Sequence, residues 1–568
     1  MKRASASHFV VALLVLALTS SGLGYRFLWQ DELDTAERAK TICQSGLPLV
    51  IDRSGVASLS VGGQEVEDGD VHRYQPWVMF YTAAAGLCLA EELGLTPEAA
   101  VRWPNVVLHA ATSGVASWAL AGSAGFPVLM ANAVGVALGI QSVRIVHNRT
   151  ARYHAALDLL AVLGMASLGG VRRRRRWAWP GLAVAILLLP LTHSISGAAF
   201  SVSLGFSAAL ISAQQMSWRS LEYRRQILTF VVLPGLIAGV TILALSRPWA
   251  QSMGQDLQWP GITGVRDFNG ILYAFLFPLG LGIWTLRWGG AQRLGKTYLW
   301  AWGFLLLAVM LVDIHSYTRP RYFLSIALMA LLWPVAFGLD GLTDRAKNGI
   351  RWVVLLLALA PELGLGRLVM SGETAFDPLQ GLRLAWDDAE KQRQVTHQPV
   401  HEAIEWLREH AAPTDPILFD YTPQYVNWYL PGRPIALMPD RFFRQGLNEN
   451  HEIWTRPIEM PRWHLWYPGF GSGIWACLNE CDYRSEDYDP RTHRYILRSN
   501  HLDQSRPMCP VKTWSTHHWN NSPFKNLERS AFRPEGDDSG ILLLAEPCPE
   551  GDLEEEDMLA LVDGSHDR

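Results

Sequence analysis

Residues 151–191 read ARYHAALDLLAVLGMASLGGVRRRRRWAWPGLAVAILLLPL. Two apolar runs, Ala151–Gly169 and Trp177–Leu191, bracket five consecutive arginines, Arg172–Arg176. A helix crossing the hydrocarbon core needs about 20 apolar residues, because its backbone must satisfy its own hydrogen bonds there. A short loop this basic stays on the cytoplasmic side. The stretch is therefore a pair of membrane helices joined by an inward turn.

Working outward, further apolar runs occur at His8–Leu28, Trp103–Gly122, Phe126–Val143, Ile195–Met216, Gln226–Leu245, Gly270–Leu286, Tyr298–Leu311, Tyr322–Leu339 and Trp352–Met370. About eleven spans are predicted. Pro76–Leu93 is nearly long enough to be another, but counting it would turn Arg172–Arg176, Trp218-Arg219, Arg224-Arg225 and Arg287–Lys296 outward, against the charge rule. It is predicted as an interfacial helix, with Pro76 at its first turn and Gly94 past its end. The N-terminus, with Lys2 and Arg3, then lies in the cytoplasm. The chain is expected to be an integral protein of the cell or inner membrane, its C-terminal part extracytoplasmic.

Composition agrees with two unlike parts. The 568 residues are 49% hydrophobic, yet mean hydropathy is only +0.08, because the apolar runs stop near residue 370. The 24 tryptophans suit membrane interfaces. A net charge of −4 gives no reason to expect a nucleic-acid partner. Of six cysteines, Cys477, Cys481, Cys509 and Cys548 lie in the polar part. Disulfides are favoured there over a metal site, since Cys477 and Cys481 lack a second pair at zinc spacing.

This topology sorts the ionisable groups. The outward loops hold Asp31, Glu32, His72, Arg73, Arg102, Arg144, His147, Arg149, His193, Asp267, His315, Arg319 and Arg321, whereas the inward loops are basic and without histidine. Chemistry is expected outside. Asp31 and Glu32 follow the first span. Asp34 with Glu37 resembles a capping box, so a helix is predicted from Asp34 to the stop at Gly46 and Pro48. A carboxylate at headgroup depth is partly desolvated, which favours general-base work, although two acids can equally just solvate the end of a span. Asp158, four residues after His154 and inside a predicted span, is a functional candidate by its depth, or a partner of Arg152 or His154.

Five segments resemble the C-superfamily of integral-membrane glycosyltransferases, which includes protein O-mannosyltransferases and lipid A aminoarabinose transferases. They are Asp31–Ala39 with Gly46-Leu47-Pro48, Tyr74–Tyr81, Arg102–Asn105, Arg149–Tyr153 and His315–Tyr322. The resemblance covers about residues 8–370 and implies transfer of a sugar from a polyprenyl phosphate to an acceptor hydroxyl, with inversion. It implies Asp31 as base, with Glu32 orienting the acceptor or pairing with a nearby arginine. Arg319 and Arg321, with Arg152, Arg102 and Arg73 in reserve, would bind the donor phosphate. His72, Tyr74, His154, Asp158, His315 and Tyr322 would complete the pocket. The acceptor would be a glycan, lipid or protein. Some members use a divalent metal and others do not, so a metal and its ligands stay open, His72 and His154 being candidates. His72-Arg73-Tyr74 stands where the aminoarabinose transferases have glutamate and lysine, which argues against that sugar. A lipid or glycan transporter without transferase chemistry is the alternative; it would be expected to carry internal repeats, and none is evident.

Three regions are expected: a catalytic membrane domain over 1–370, an extracytoplasmic α/β domain over 371–549 and an acidic tail over 550–568. Within the second, helices are predicted at Val400–His410 and Pro423–Leu430 and strands at Pro416–Tyr421 and Gly540–Ala545.

Overall fold

The computed structural model describes residues 2–25, 27–28, 30–49, 71–72, 76–245, 328, 331–339, 342–359, 399–415, 417–419, 428–431, 463–466, 488–489, 494–499, 502–515 and 541–547. Among the described residues, helices dominate up to residue 359. They are α1 (Lys2–Thr19), α2 (Gln30–Ser45), α3 (Val78–Leu87), α4 (Ala90–Leu93), α5 (Pro97–Ala124), α6 (Val128–Ile140), α7 (Ser142–Arg149), α8 (His154–Arg172), α9 (Ala178–Thr192) and α10 (Ser194–Gln215). After these come α11 (Leu221–Ile227), a π-helical turn at Leu228–Val232, α12 (Leu233–Leu245), α13 (Trp333–Phe337) and α14 (Asp344–Leu359). Among the described residues, His154–Arg172, Ser196–Gln215 and Leu221–Ala244 are long and apolar enough to cross a membrane; Ala6–Thr19, Val128–Ile140 and Ala178–Thr192 are apolar but shorter. This is an integral membrane protein. The spans expected at Gly270–Leu286 and Tyr298–Leu311 lie outside the described residues.

Helix α5 is the axis against which charge is sorted. Near its start Arg102 donates to the Leu23 and Phe27 carbonyls (2.7 and 3.0 Å). At its other end Arg172 donates to the Ser123 carbonyl at 3.0 Å, Arg173 to Gly122 and Arg351 to Gly125. These arginines cap the carbonyls that a helix leaves unsatisfied where Gly125, at φ +70°, ends it. Twenty-one residues separate Arg102 from Ser123 in the sequence, about 31 Å at 1.5 Å per residue and close to the hydrocarbon thickness of about 30 Å. The arginine cluster and the acidic loop thus occupy opposite ends of one membrane-length helix.

The segment 76–93 makes two short helices rather than one. Ten residues of α3 span about 15 Å, too few to cross. Pro104 removes the helical donor for the Ala100 carbonyl, and α3 presses onto that carbonyl through Gly86, where a Cβ would collide with it. A disulfide joins Cys43, near the end of α2, to Cys88, just past α3. It closes a loop of 45 residues, and its loss should cost about 2–4 kcal/mol. A Cys43→Ser/Cys88→Ser protein should unfold at lower temperature in detergent. Reductant should lower the wild-type midpoint and leave that of the variant unmoved; equal midpoints with and without reductant in the wild type would rule the linkage out as a stabiliser.

Other differences from expectation have local causes. Helix α2 begins at Gln30, so Asp34 is no cap; it lies inside the helix and faces Arg38 one turn on, at 3.4 Å. The run at 126–143 stops at Ile140, and 142–149 is a helix where a loop was expected. Gln141 makes that break, its amide donating to the Ala358 carbonyl (2.6 Å) while its oxygen accepts from Arg144 (2.8 Å). From Leu221 to Leu245 the helix is continuous. The π turn precedes Pro234, which has no N–H for the Phe230 carbonyl, and a wider turn relieves the clash. Helix α8 is buried along most of its length, packed against α5, α9, α10 and α13.

In the polar part, α15 (Pro399–His410) is followed by a six-stranded sheet: β1 (Ile417–Phe419), β2 (Trp463–Trp466), β3 (Tyr488–Asp489), β4 (Arg494–Ser499), β5 (Leu502–Ser515) and β6 (Ile541–Pro547). The strand order is β1-β2-β6-β5-β4-β3. Among the described strands only β1 and β2 run parallel; the other pairs are antiparallel. Helix α15 and the strands β1 and β6 fall where the sequence predicts them. Most of the helix expected at Pro423–Leu430 lies outside the described residues, as do Cys477, Cys481 and Cys548.

Candidate active site

Glu32 is the junction. It sits in the first turn of α2 and is 1% exposed. Arg102 grips it with both arms of the guanidinium, Nε to Oε1 at 2.8 Å and Nη2 to Oε2 at 2.7 Å. The backbone N–H of Ala151 donates to the same Oε1 at 2.9 Å. A fork-to-fork pair of this kind fixes orientation as well as distance. One carboxylate therefore ties together the start of α2, the start of α5 and the turn before α8. The motif segments at 31–39, 102–105 and 149–153 are far apart in sequence and meet here.

His72 belongs to the segment that precedes α3. Leu49 and Val71 form an antiparallel bridge, and the Trp77 indole donates to the His72 carbonyl (2.8 Å). The imidazole is buried edge-on to Phe80, with ring centres 5.0 Å apart. Burial holds its pKa well below the usual imidazole value, and the positive charges of Arg38 and Arg152 push it the same way. His72 is accordingly neutral at physiological pH. Arg38, fully buried on α2, faces Asp34 and Glu37. Arg152 is half-buried at the α8 entrance, close to the Tyr153 ring. Arg38 is the residue that sequence reasoning passed over: its helical spacing from Asp34 was the available signal.

Deeper along α8 lies a second charged pair. Asp158 accepts from Arg144 at 2.6 Å and from the Asn148 amide at 3.3 Å. The same amide reaches His109 Nδ1 at 2.9 Å, and His109 Nε2 faces the Gly139 carbonyl at 2.9 Å, so that ring nitrogen carries the proton. Asp158 is thus paired with Arg144, on α7, a partner that its position in sequence did not suggest. A buried acid satisfied by guanidinium and amide serves to lock the α7–α8 corner. His154 lies beside it in an aromatic group, with ring centres 4.9 Å from His147 and 4.2 Å from Tyr153, while Tyr153 is 4.1 Å from His193.

Between α3 and the ends of α9 and α12 opens a largely apolar cavity of ≈ 450 Å³, bordered by Trp77, Val78, Tyr81, Leu191, Thr241 and Ile242. Among the described residues, no three His, Cys, Asp or Glu side chains gather as a metal site. Arg73, Tyr74, His315, Arg319, Arg321 and Tyr322 lie outside the described residues, and Asp31 is placed by its backbone, in the first turn of α2 beside Glu32.

No family model and no curated protein matches the chain. Solved structures do resemble it. The chain is similar to ArnT from Cupriavidus metallidurans. In the apo state that protein aligns at TM-score 0.47 with 16% identity, covering 77% of this chain and 86% of that one. Bound to undecaprenyl phosphate, it aligns at TM-score 0.44 with 14% identity over the same shares. The oligosaccharyltransferase of Archaeoglobus fulgidus in its apo form aligns at TM-score 0.42 with 10% identity, covering 76% of this chain and 64% of that one.

Proposed function

We propose that this protein is an inverting glycosyltransferase that moves a sugar from a polyprenyl-phosphate donor to an acceptor hydroxyl on the extracytoplasmic side. The observation that carries this reading is the meeting at Glu32 of three motif segments that resemble the outer loops of C-superfamily transferases. The disulfide between Cys43 and Cys88 supports the same placement, since such bonds persist in oxidising compartments.

In this reading Asp31 is the general base. It takes the proton of the acceptor hydroxyl as that oxygen forms its bond to the anomeric carbon. The bond from that carbon to the phosphate oxygen breaks, and the polyprenyl phosphate leaves with the electron pair. One displacement from the opposite face inverts the centre. Charge grows on the departing phosphate, so cationic groups aimed at it lower the barrier. Arg152, Arg73, Arg319 and Arg321 take that role. Arg102 does not, because its guanidinium is occupied by Glu32 and two carbonyls; it and Glu32 hold the loop that carries Asp31. Neutral His72 lines the pocket as an uncharged hydrogen-bonding group. The apolar cavity beside α3 suits the isoprenoid tail, whose burial gains about 25 cal/mol per Å². Residues 371–549 form the extracytoplasmic domain that meets the acceptor.

The purified protein in liposomes, given a panel of polyprenyl-phosphate sugars and glycan, lipid and peptide acceptors, should release polyprenyl phosphate and form a glycoside with one of them. Proton NMR of the product should report the anomer opposite to that of the donor. Retention would remove the single-displacement mechanism, and absence of turnover across the whole panel would remove the transferase reading.

A further inference from the structure

The short segment between α1 and α2, which delivers the chain to Asp31, is held by the polar C-terminal part. Phe27 lies between two rings contributed from there. Its ring is 3.8 Å from that of Tyr429 at an interplanar angle of 10°, and 4.0 Å from that of His401 at 12°. The Leu28 N–H donates to the Tyr429 hydroxyl at 2.8 Å. Tyr429 is in turn anchored to α15, since Arg408 donates to its carbonyl at 3.1 Å, and His401 stands on the same helix, 3.5 Å from Glu405. Phe27 also works in the other direction. Its carbonyl accepts from Arg102 Nη2, the nitrogen that grips Glu32.

A loop of this kind would otherwise be free to shift at its exposed end. Here a stack of three rings fixes its plane, and a hydrogen bond fixes its height. The ring of one residue is tied to the outer region and its carbonyl to the buried ion pair. Movement of α15 therefore reaches the first turn of α2 through a single rigid residue. We infer that Phe27, clamped between His401 and Tyr429, is a positioning residue through which the C-terminal region sets the location of the Asp31 loop. The inference rests on the proposed transferase reading for its catalytic consequence, though the clamp itself does not.

Two readouts on the full-length protein in nanodiscs separate these. Hydrogen exchange followed by mass spectrometry needs no activity. Tyr429→Phe keeps the stack but removes the hydroxyl acceptor, so exchange at the Leu28 amide should accelerate; Phe27→Ala should accelerate exchange across residues 28–34. Unchanged protection in both variants overturns the clamp. Turnover supplies the second readout. Phe27→Ala should lower kcat by about 10²-fold, as a misplaced catalytic group does, with the donor KM little changed. Phe27→Tyr, which preserves the stack, should restore it. A kcat at the wild-type level in Phe27→Ala overturns the positioning role. So does a fall in activity matched by an equal fall in donor binding and thermal midpoint, which marks a merely structural residue. Should the wild type transfer no sugar while the exchange results hold, the transferase reading fails and the clamp stands.

Discussion

Asp31→Asn is expected to abolish most sugar transfer while leaving the protein folded and able to bind its donor. General-base catalysis by a positioned side chain contributes about 10²–10⁴-fold, so kcat should drop by that factor with the donor KM nearly constant. The isosteric amide keeps the shape and loses the proton acceptor. Its structural cost should be small. Position 31 lies in the first turn of α2, where a carboxylate interacts with the helix dipole by about 0.3–1 kcal/mol, and asparagine is tolerated at helix starts. Rate measurements on both proteins in liposomes, with bound polyprenyl phosphate quantified alongside, decide the matter. An unchanged kcat would strip Asp31 of its role. A loss of donor binding equal to the loss of rate would assign it to binding instead.

How far the sequence could be read followed how local each determinant is. Helices α5, α8, α9 and α10 were legible because apolar length is a property of a continuous run, and the basic turn at 172–176 because charge is. The non-crossing of 76–93 was legible too, but only through the charges of loops elsewhere. What failed was pairing across sequence. Nothing at Asp158 points to Arg144, since that contact depends on α7 folding back at Gln141, a residue with no breaker signature. The capping-box reading of Asp34 failed because Arg38, one turn later on α2, offers a charged partner. Cys43 and Cys88, 45 residues apart, have no spacing that announces a bond. In the site itself, the proximity of Glu32 to some arginine was foreseeable from type and side. The contribution of Ala151 was not, because a backbone N–H leaves no trace in composition.

Breaking the Glu32–Arg102 pair should destabilise the protein more than any surface change. Glu32 is 1% exposed and Arg102 8%. Removing one partner leaves the other charge buried without compensation, a loss of about 3–5 kcal/mol. Glu32→Gln and Arg102→Met should each lower the thermal midpoint and, since both hold the Asp31 loop, lower kcat as well. The double variant Glu32→Leu/Arg102→Met is the informative one. Replacing both charges by apolar groups removes the uncompensated ion, so the double change should cost less than the sum of the singles. It should not return to wild type, because the Ala151 N–H and the Leu23 and Phe27 carbonyls lose their partners, at about 1–3 kcal/mol for each group left unsatisfied. Thermal unfolding of the four proteins in one detergent gives the coupling. Strict additivity, or single variants within about 0.5 kcal/mol of wild type as for ordinary surface positions, would show that the junction at Glu32 does not hold the Asp31 loop in place, and the placement of Asp31 would then need another cause.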